Sequence, residues 1–151
     1  MTPKEQLDVF IDRFTPEVAK TARGAIAKMR KLTPGSLELV YDNYNALAIG
    51  FSPTDRAGDG IFSIALFPPH VSLFFLRGAT LPDPTKRLRG SGNVVRHIVL
   101  EDLSLFDEGD VRTLILLALA RSDVPLDPKQ KRRILIKSVS AKQRPRRPKA
   151  K

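Results

Sequence analysis

The chain contains no cysteine and no tryptophan. Without cysteine there is no disulfide, no thiolate metal site and no cysteine nucleophile. That fits a reducing compartment, so a cytoplasmic location is expected. Histidine occurs only as His70 and His97. They lack the i, i+4 spacing with which a helix face grips zinc, so a histidine-based metal centre is not expected. Long apolar runs are missing too. The longest, Leu114–Ala120, has seven residues, against the roughly 20 that a membrane-spanning helix needs. Residues 1–13 carry Lys4, Glu5, Asp8, Asp12 and Arg13 without the apolar stretch of a signal peptide. Gly90-Ser91-Gly92 is not the Gly-x-Ser-x-Gly elbow of a hydrolase. Neither a Walker loop nor a dinucleotide fingerprint occurs. The expectation is a non-catalytic protein with no cofactor.

What is present is a charge placed at one end. From Asp127 to Lys151 there are eleven Lys and Arg and one acid, leaving fifteen of each sign in residues 1–126. The chain reads as a neutral body with a cationic end, and a localised charge speaks to partners. With 151 residues and 42% apolar content, one domain with a real core is expected.

Leu7, Phe10, Ile11 and Phe14 lie at i, i+3, i+4, i+7, which predicts a helix over 3–14. Thr15-Pro16-Glu17 is a restart signal for a second helix, which Thr33-Pro34-Gly35 ends. The period then falls to two. Strands are predicted over 37–41, 44–51, 61–67, 71–76 and 94–100, with a turn at Asp42-Asn43. Asp107 offers a cap for an apolar helix over 111–120. Residues 133–140 read as an edge strand, with Lys137 discouraging further pairing. Residues 141–151, made of basic residues, proline and small residues, read as a disordered tail. The fold class expected is α+β: two layers, a largely antiparallel sheet, N-terminal helices and one later helix packed on it. One domain spans 1–140.

Four groups of residues are candidates for chemistry. The tail bases Lys142, Arg144, Arg146, Arg147, Lys149 and Lys151 present cations to phosphate oxygens, which points to a polyanion such as nucleic acid. No aromatics interleave with them, so base readout is not expected. Gly90, Ser91, Gly92 and Asn93 allow backbone N–H groups to converge on an anion, with Arg96 nearby. Tyr41, Tyr44 and Arg77 gather polar and aromatic groups that suit a small-ligand cleft. Glu5, Asp8 and Asp12 share one helix face and offer oxygen ligands to a hard cation, although such a face is ordinarily just solvated.

Residues 17–119 also resemble the YdhG-like family of small bacterial domains. The resemblance is carried by Val40-Tyr41-Asp42-Asn43-Tyr44-Asn45-Ala46, by Val71-Ser72-Leu73-Phe74-Phe75, and by Leu81-Pro82-Asp83-Pro84 running into Leu88-Arg89-Gly90-Ser91-Gly92-Asn93 and Arg96-His97-Ile98. The ending Ile136–Arg147 is similar to a recurring feature of one branch. The resemblance implies a two-layer α+β domain. One relative is described as a frataxin-like iron chaperone, which implies exposed carboxylates. In this chain Glu5, Asp8 and Asp12 are those that suggest themselves, and they lie outside the matched stretch.

Overall fold

Two threonines set where the first helices begin. The computed structural model describes residues 1–148. Helix α1 spans Pro3–Asp12, and Thr2 caps it: its hydroxyl accepts from the Glu5 N–H at 3.2 Å while the Glu5 carboxylate accepts from the Thr2 N–H at 3.1 Å. This reciprocal box satisfies two of the N–H groups a helix start leaves open. Helix α2 spans Pro16–Leu32, with the Thr15 hydroxyl accepting from the Val18 N–H at 3.3 Å. Both helices place proline first, where no N–H partner is lost.

Six strands follow: β1 Leu37–Asp42, β2 Leu47–Ser52, β3 Phe62–Leu66, β4 Val71–Phe75, β5 Arg96–Val99 and β6 Ile134–Val139. They form one sheet in the order β5-β4-β3-β2-β1-β6. All neighbours are antiparallel except β6, which runs parallel to β1. Helix α3, Gly109–Ala120, packs on the sheet through Val111, Leu114 and Ile115. The fold is α+β with two layers, as the periodicity predicts.

The core is one alternation of the strands. Leu47, Ile49 and Phe51, then Phe62, Ile64 and Leu66, then Val71, Leu73 and Phe75 all join the helix side chains in one buried cluster. Phe14, Phe51, Phe62, Phe75 and Phe106 are fully buried. Each such side chain contributes about 1.5–3 kcal/mol relative to exposure. Gly35, at φ +82°, makes the turn from α2 into β1, a conformation L side chains rarely adopt.

Several expectations are corrected. Asp42 belongs to β1, opposite Leu47, and the turn is Asn43–Ala46, closed by the Asn43 N–H on the Ala46 carbonyl at 3.0 Å. Tyr44 therefore sits in a turn and not on a strand. Asp107 does not cap α3. It ends a 3₁₀ turn over Leu103–Asp107, and Glu108 precedes the helix without a side-chain cap. The largest correction concerns residues 141–148, which are not a disordered tail. The Gln143 amide donates to the Asp42 carbonyl at 3.1 Å and the Arg144 N–H to the Tyr44 carbonyl at 2.9 Å. Polar backbone at the open end of β1 holds this segment, and nothing in its composition shows that in advance.

Candidate nucleic-acid interface

The cationic end of the chain is laid along the sheet as its edge. Its path begins at the α2–β1 turn. The Gln130 amide donates to the Gly35 carbonyl at 2.8 Å and to the Pro53 carbonyl at 3.0 Å. Strand β6 then pairs with β1 from Glu38–Ile134 to Asp42–Val139, with a register shift between Val40 and Tyr41. The Ser140 N–H donates to the Asp42 carbonyl at 2.8 Å, and residues 141–148 continue over the β1–β2 turn.

The bases of this segment divide into two sets. Arg132 and Arg146 turn inward. Arg132 reaches the Glu38 carboxylate at 3.4 Å, and the carbonyls of Arg30 and Thr33 at 2.8 and 3.0 Å. Glu38 is fully buried and also takes two bonds from Arg30, each 2.8 Å. That carboxylate holds the Arg30 guanidinium above its ordinary pKa, chiefly by hydrogen bonding. Arg146 is 6% exposed. It donates to Asp42 Oδ1 at 2.9 Å, to the Asn43 and Tyr44 carbonyls, and its guanidinium lies over the Phe14 ring at 5.5 Å. Arg13 approaches the other Asp42 oxygen at 3.4 Å.

Lys129, Lys131, Arg133, Lys137, Lys142, Arg144 and Arg147 form the second set. All seven are exposed, and none forms an ion pair among the described residues. Residues 128–148 contain no acid. The carboxylates that meet its inward-turned arginines, Glu38 and Asp42, are buried and already neutralised from two sides each. The segment is thus a cationic edge without ion pairs of its own among the described residues, held in place by buried Arg146 and half-buried Arg132. Backbone contacts fix some of its members further: Lys137 donates to the Asp55 carbonyl at 2.9 Å, and Arg147 to the Arg13 and Asp12 carbonyls at 3.3 and 3.4 Å.

Arg146 is therefore corrected. Expected as a phosphate contact, it is buried, because Asp42 and two turn carbonyls offer it more than solvent does. Lys142, Arg144 and Arg147 stay on the surface. Lys149 and Lys151 lie outside the described residues. Lys129, Lys131 and Arg133 were not singled out from the sequence, although the acid-free run from residue 128 was the signal that groups them.

The other candidates separate. At the turn Gly90-Ser91-Gly92-Asn93, where Gly90 has φ +121°, the Arg96 guanidinium donates to the Gly92 carbonyl at 2.5 Å and the Val95 carbonyl at 2.8 Å. The turn presents oxygens to its own arginine. Tyr41, Tyr44 and Arg77 do not share a cleft. Tyr41 and Tyr44 lie at the Asp42 end of β1, with Tyr44 largely exposed, and burial without a hydrogen-bond partner pushes the Tyr41 hydroxyl up in pKa. Arg77 follows β4 at the opposite end of the sheet and pairs with Asp123. Glu5 is bound in the α1 cap, which lowers its pKa. Asp8 and Asp12 both face Arg23, at 3.9 and 2.8 Å. Among the described residues no group of three or more His, Asp or Glu is placed to hold a metal ion. Among those residues too, no helix is long and apolar enough to cross a membrane. His97 stacks on Phe74 at 5.2 Å, and burial, then Arg89, then His70 hold its pKa below the ordinary value.

No protein-family model, no curated protein and no solved structure matches this chain.

Proposed function

We propose that this is a non-catalytic binding protein whose C-terminal edge, Lys129 to Arg147, contacts a polyanion, with nucleic acid as the partner. The observation that carries the reading is the division of its bases: two turned inward and paired with acids, one of them buried and one half-buried, and seven exposed with no acid partner among the described residues. A loose tail must be ordered when it binds, which costs affinity. A docked one holds its cations at fixed spacing beforehand. Contacts to phosphate would set register without reading sequence, since no aromatic interleaves with these bases. The reading keeps the resemblance to YdhG-like domains, which rests on the motifs between residues 40 and 98 and on the ending Ile136–Arg147, and a cytoplasmic location. It leaves out iron carriage, because Arg23 already takes Asp8 and Asp12 and the helix cap takes Glu5.

Fluorescence anisotropy of labelled duplex and single-stranded DNA over a salt series tests it. If about five phosphates are met, log K falls against log salt with a slope near −4.5 on duplex. Changing Lys131, Arg133 and Lys137 together to serine should flatten the slope by about 2–3 and leave the fold intact. No binding at low salt, or binding indifferent to that triple substitution, overturns the proposal.

A further inference from the structure

A cavity of about 100 Å³ opens where the C-terminal end of α3 meets the start of β3 and the 3₁₀ turn Gly78–Thr80. It lies at the opposite end of the sheet from the β1–β2 turn over which residues 141–148 run. Its floor is apolar: Ile61, Phe75 and Leu81 are buried, and Ala118 and Val124 close the sides. Ala118 contributes only a methyl group where a larger side chain of α3 would fill the space.

The rim carries charge, and the charges are unequally satisfied. Arg77 pairs with Asp123 and donates to the Gly58 carbonyl at 3.3 Å. Asp59 accepts from the Thr54 hydroxyl at 2.7 Å. Arg121 donates one Nη1 bond to the Thr80 carbonyl at 2.9 Å and forms no ion pair among the described residues. It is the rim cation left without a carboxylate. A guanidinium with an open donor edge suits a carboxylate, which it meets with two parallel bonds.

We propose that this cavity binds a small monoanionic amphiphile, a single-ring aromatic or short-chain aliphatic carboxylate. Its apolar body rests on Phe75 and Leu81, and its carboxylate meets Arg121. At about 100 Å³ the cavity is smaller than the roughly 150 Å³ that takes up benzene whole, so it holds a short aliphatic chain or part of one ring, with the rest of the ligand and its head group at the open rim. The site stands independently of the basic edge, so either can fail alone.

The test is amide shift mapping on the full chain with benzoate and with benzyl alcohol, each raised to about 10 mM, the range expected for so small a ligand. Benzoate should shift amides of Ile61, Leu81, Ala118 and Arg121. Arg121→Gln, an exposed position, should weaken benzoate about tenfold and leave benzyl alcohol within about twofold. Ala118→Leu should abolish both. Should that variant not fold, contacts between benzoate ring protons and the Phe75 and Leu81 side chains decide in the native protein. Shifts confined to residues 129–147, no shift at these concentrations, or benzoate binding indifferent to Arg121→Gln overturns the site.

Discussion

Arg146 donates to Asp42 across 2.9 Å, and both side chains are almost wholly buried, 4% and 2% exposed. Residue 146 thereby closes the chain onto the first strand of the sheet, 104 positions back in sequence. Cation and carboxylate each leave water for this contact, and neither would be stable there alone.

Arg146→Gln should be costly for that reason. Removing one member of a buried pair leaves an uncompensated charge and typically destabilises by about 3–5 kcal/mol. Arg13 still faces Asp42 at 3.4 Å, so the lower figure is expected. Adding Asp42→Asn to Arg146→Gln should recover part of the loss, because the stranded charge goes with it. Urea unfolding midpoints check this. Arg144→Gln, at an exposed position, is the control and should stay within about 0.5 kcal/mol of the native protein. If the two arginines behave alike, the pinning of the basic edge is wrong.

Glu38 gives a second, separable measurement. Its carboxylate holds Arg30 with two bonds and Arg132 with a third. Glu38→Gln keeps the shape but removes the one acid that is hydrogen-bonded to Arg30 among the described residues. The expected loss is about 3 kcal/mol. The exposed parts of both arginines temper it, since they stay partly solvated. Glu38→Leu should cost more, because Arg30 then loses both of its side-chain acceptors and Arg132 loses one of several. Thermal or urea unfolding of the pair orders them.

Much of the architecture was legible from local chemistry. Thr15-Pro16 marked a helix start because capping and proline geometry act within three residues. The short apolar run over residues 44–51 marked a strand, and its Leu47, Ile49 and Phe51 are the alternation that joins the helices in the core. The site was legible only in part. The acid-free run gave the sign of the charge on this edge, but Arg144, Arg146 and Arg147 are alike in sequence, and Asp42 with the turn beside it distinguishes Arg146. Asp42 lies about a hundred residues away, and its buried position depends on the hairpin and on β6 joining β1 in parallel. Tyr44 was misplaced for a nearer reason. Asn43 to Ala46 closes a turn that pushes Tyr44 out, and a tyrosine in an apolar run reads as strand.

His97 should titrate below the ordinary histidine value near 6.5. Burial comes first among the causes, and the positive charge of Arg89 adds to it. Folding therefore disfavours the imidazolium. The associated stability is complete above pH 6.5 and declines as pH falls through that value toward the lower midpoint of the folded protein. Imidazole proton shifts followed from pH 8 to 5 test the direction. Arg89→Gln should move the His97 midpoint up, since one repulsive charge is gone. A His97 midpoint at or above 6.5 in the native protein rejects the burial argument.

Gly35 decides whether the basic edge can start where it does. Its φ is +82°, and a Cβ built there would stand 1.8 Å from the Asp127 carbonyl oxygen and 3.1 Å from Pro128 Cα. A side-chain tip could swing away from such a contact, but a backbone carbonyl cannot without moving the chain. That carbonyl also accepts from the Gln130 N–H at 2.9 Å, and the Gln130 amide returns to the Gly35 carbonyl. Gly35→Ala therefore combines a strained backbone with a displaced anchor, and a loss of about 2 kcal/mol or more is expected. The displacement should spread into β6 before the core. Hydrogen exchange at the Ser140 amide, bonded to Asp42, should accelerate more than exchange within β3. Duplex DNA affinity should fall with it, because the cations lose their fixed spacing. Uniform acceleration across the sheet would mean that the edge and the core open as one unit, and that Gly35 is not its hinge.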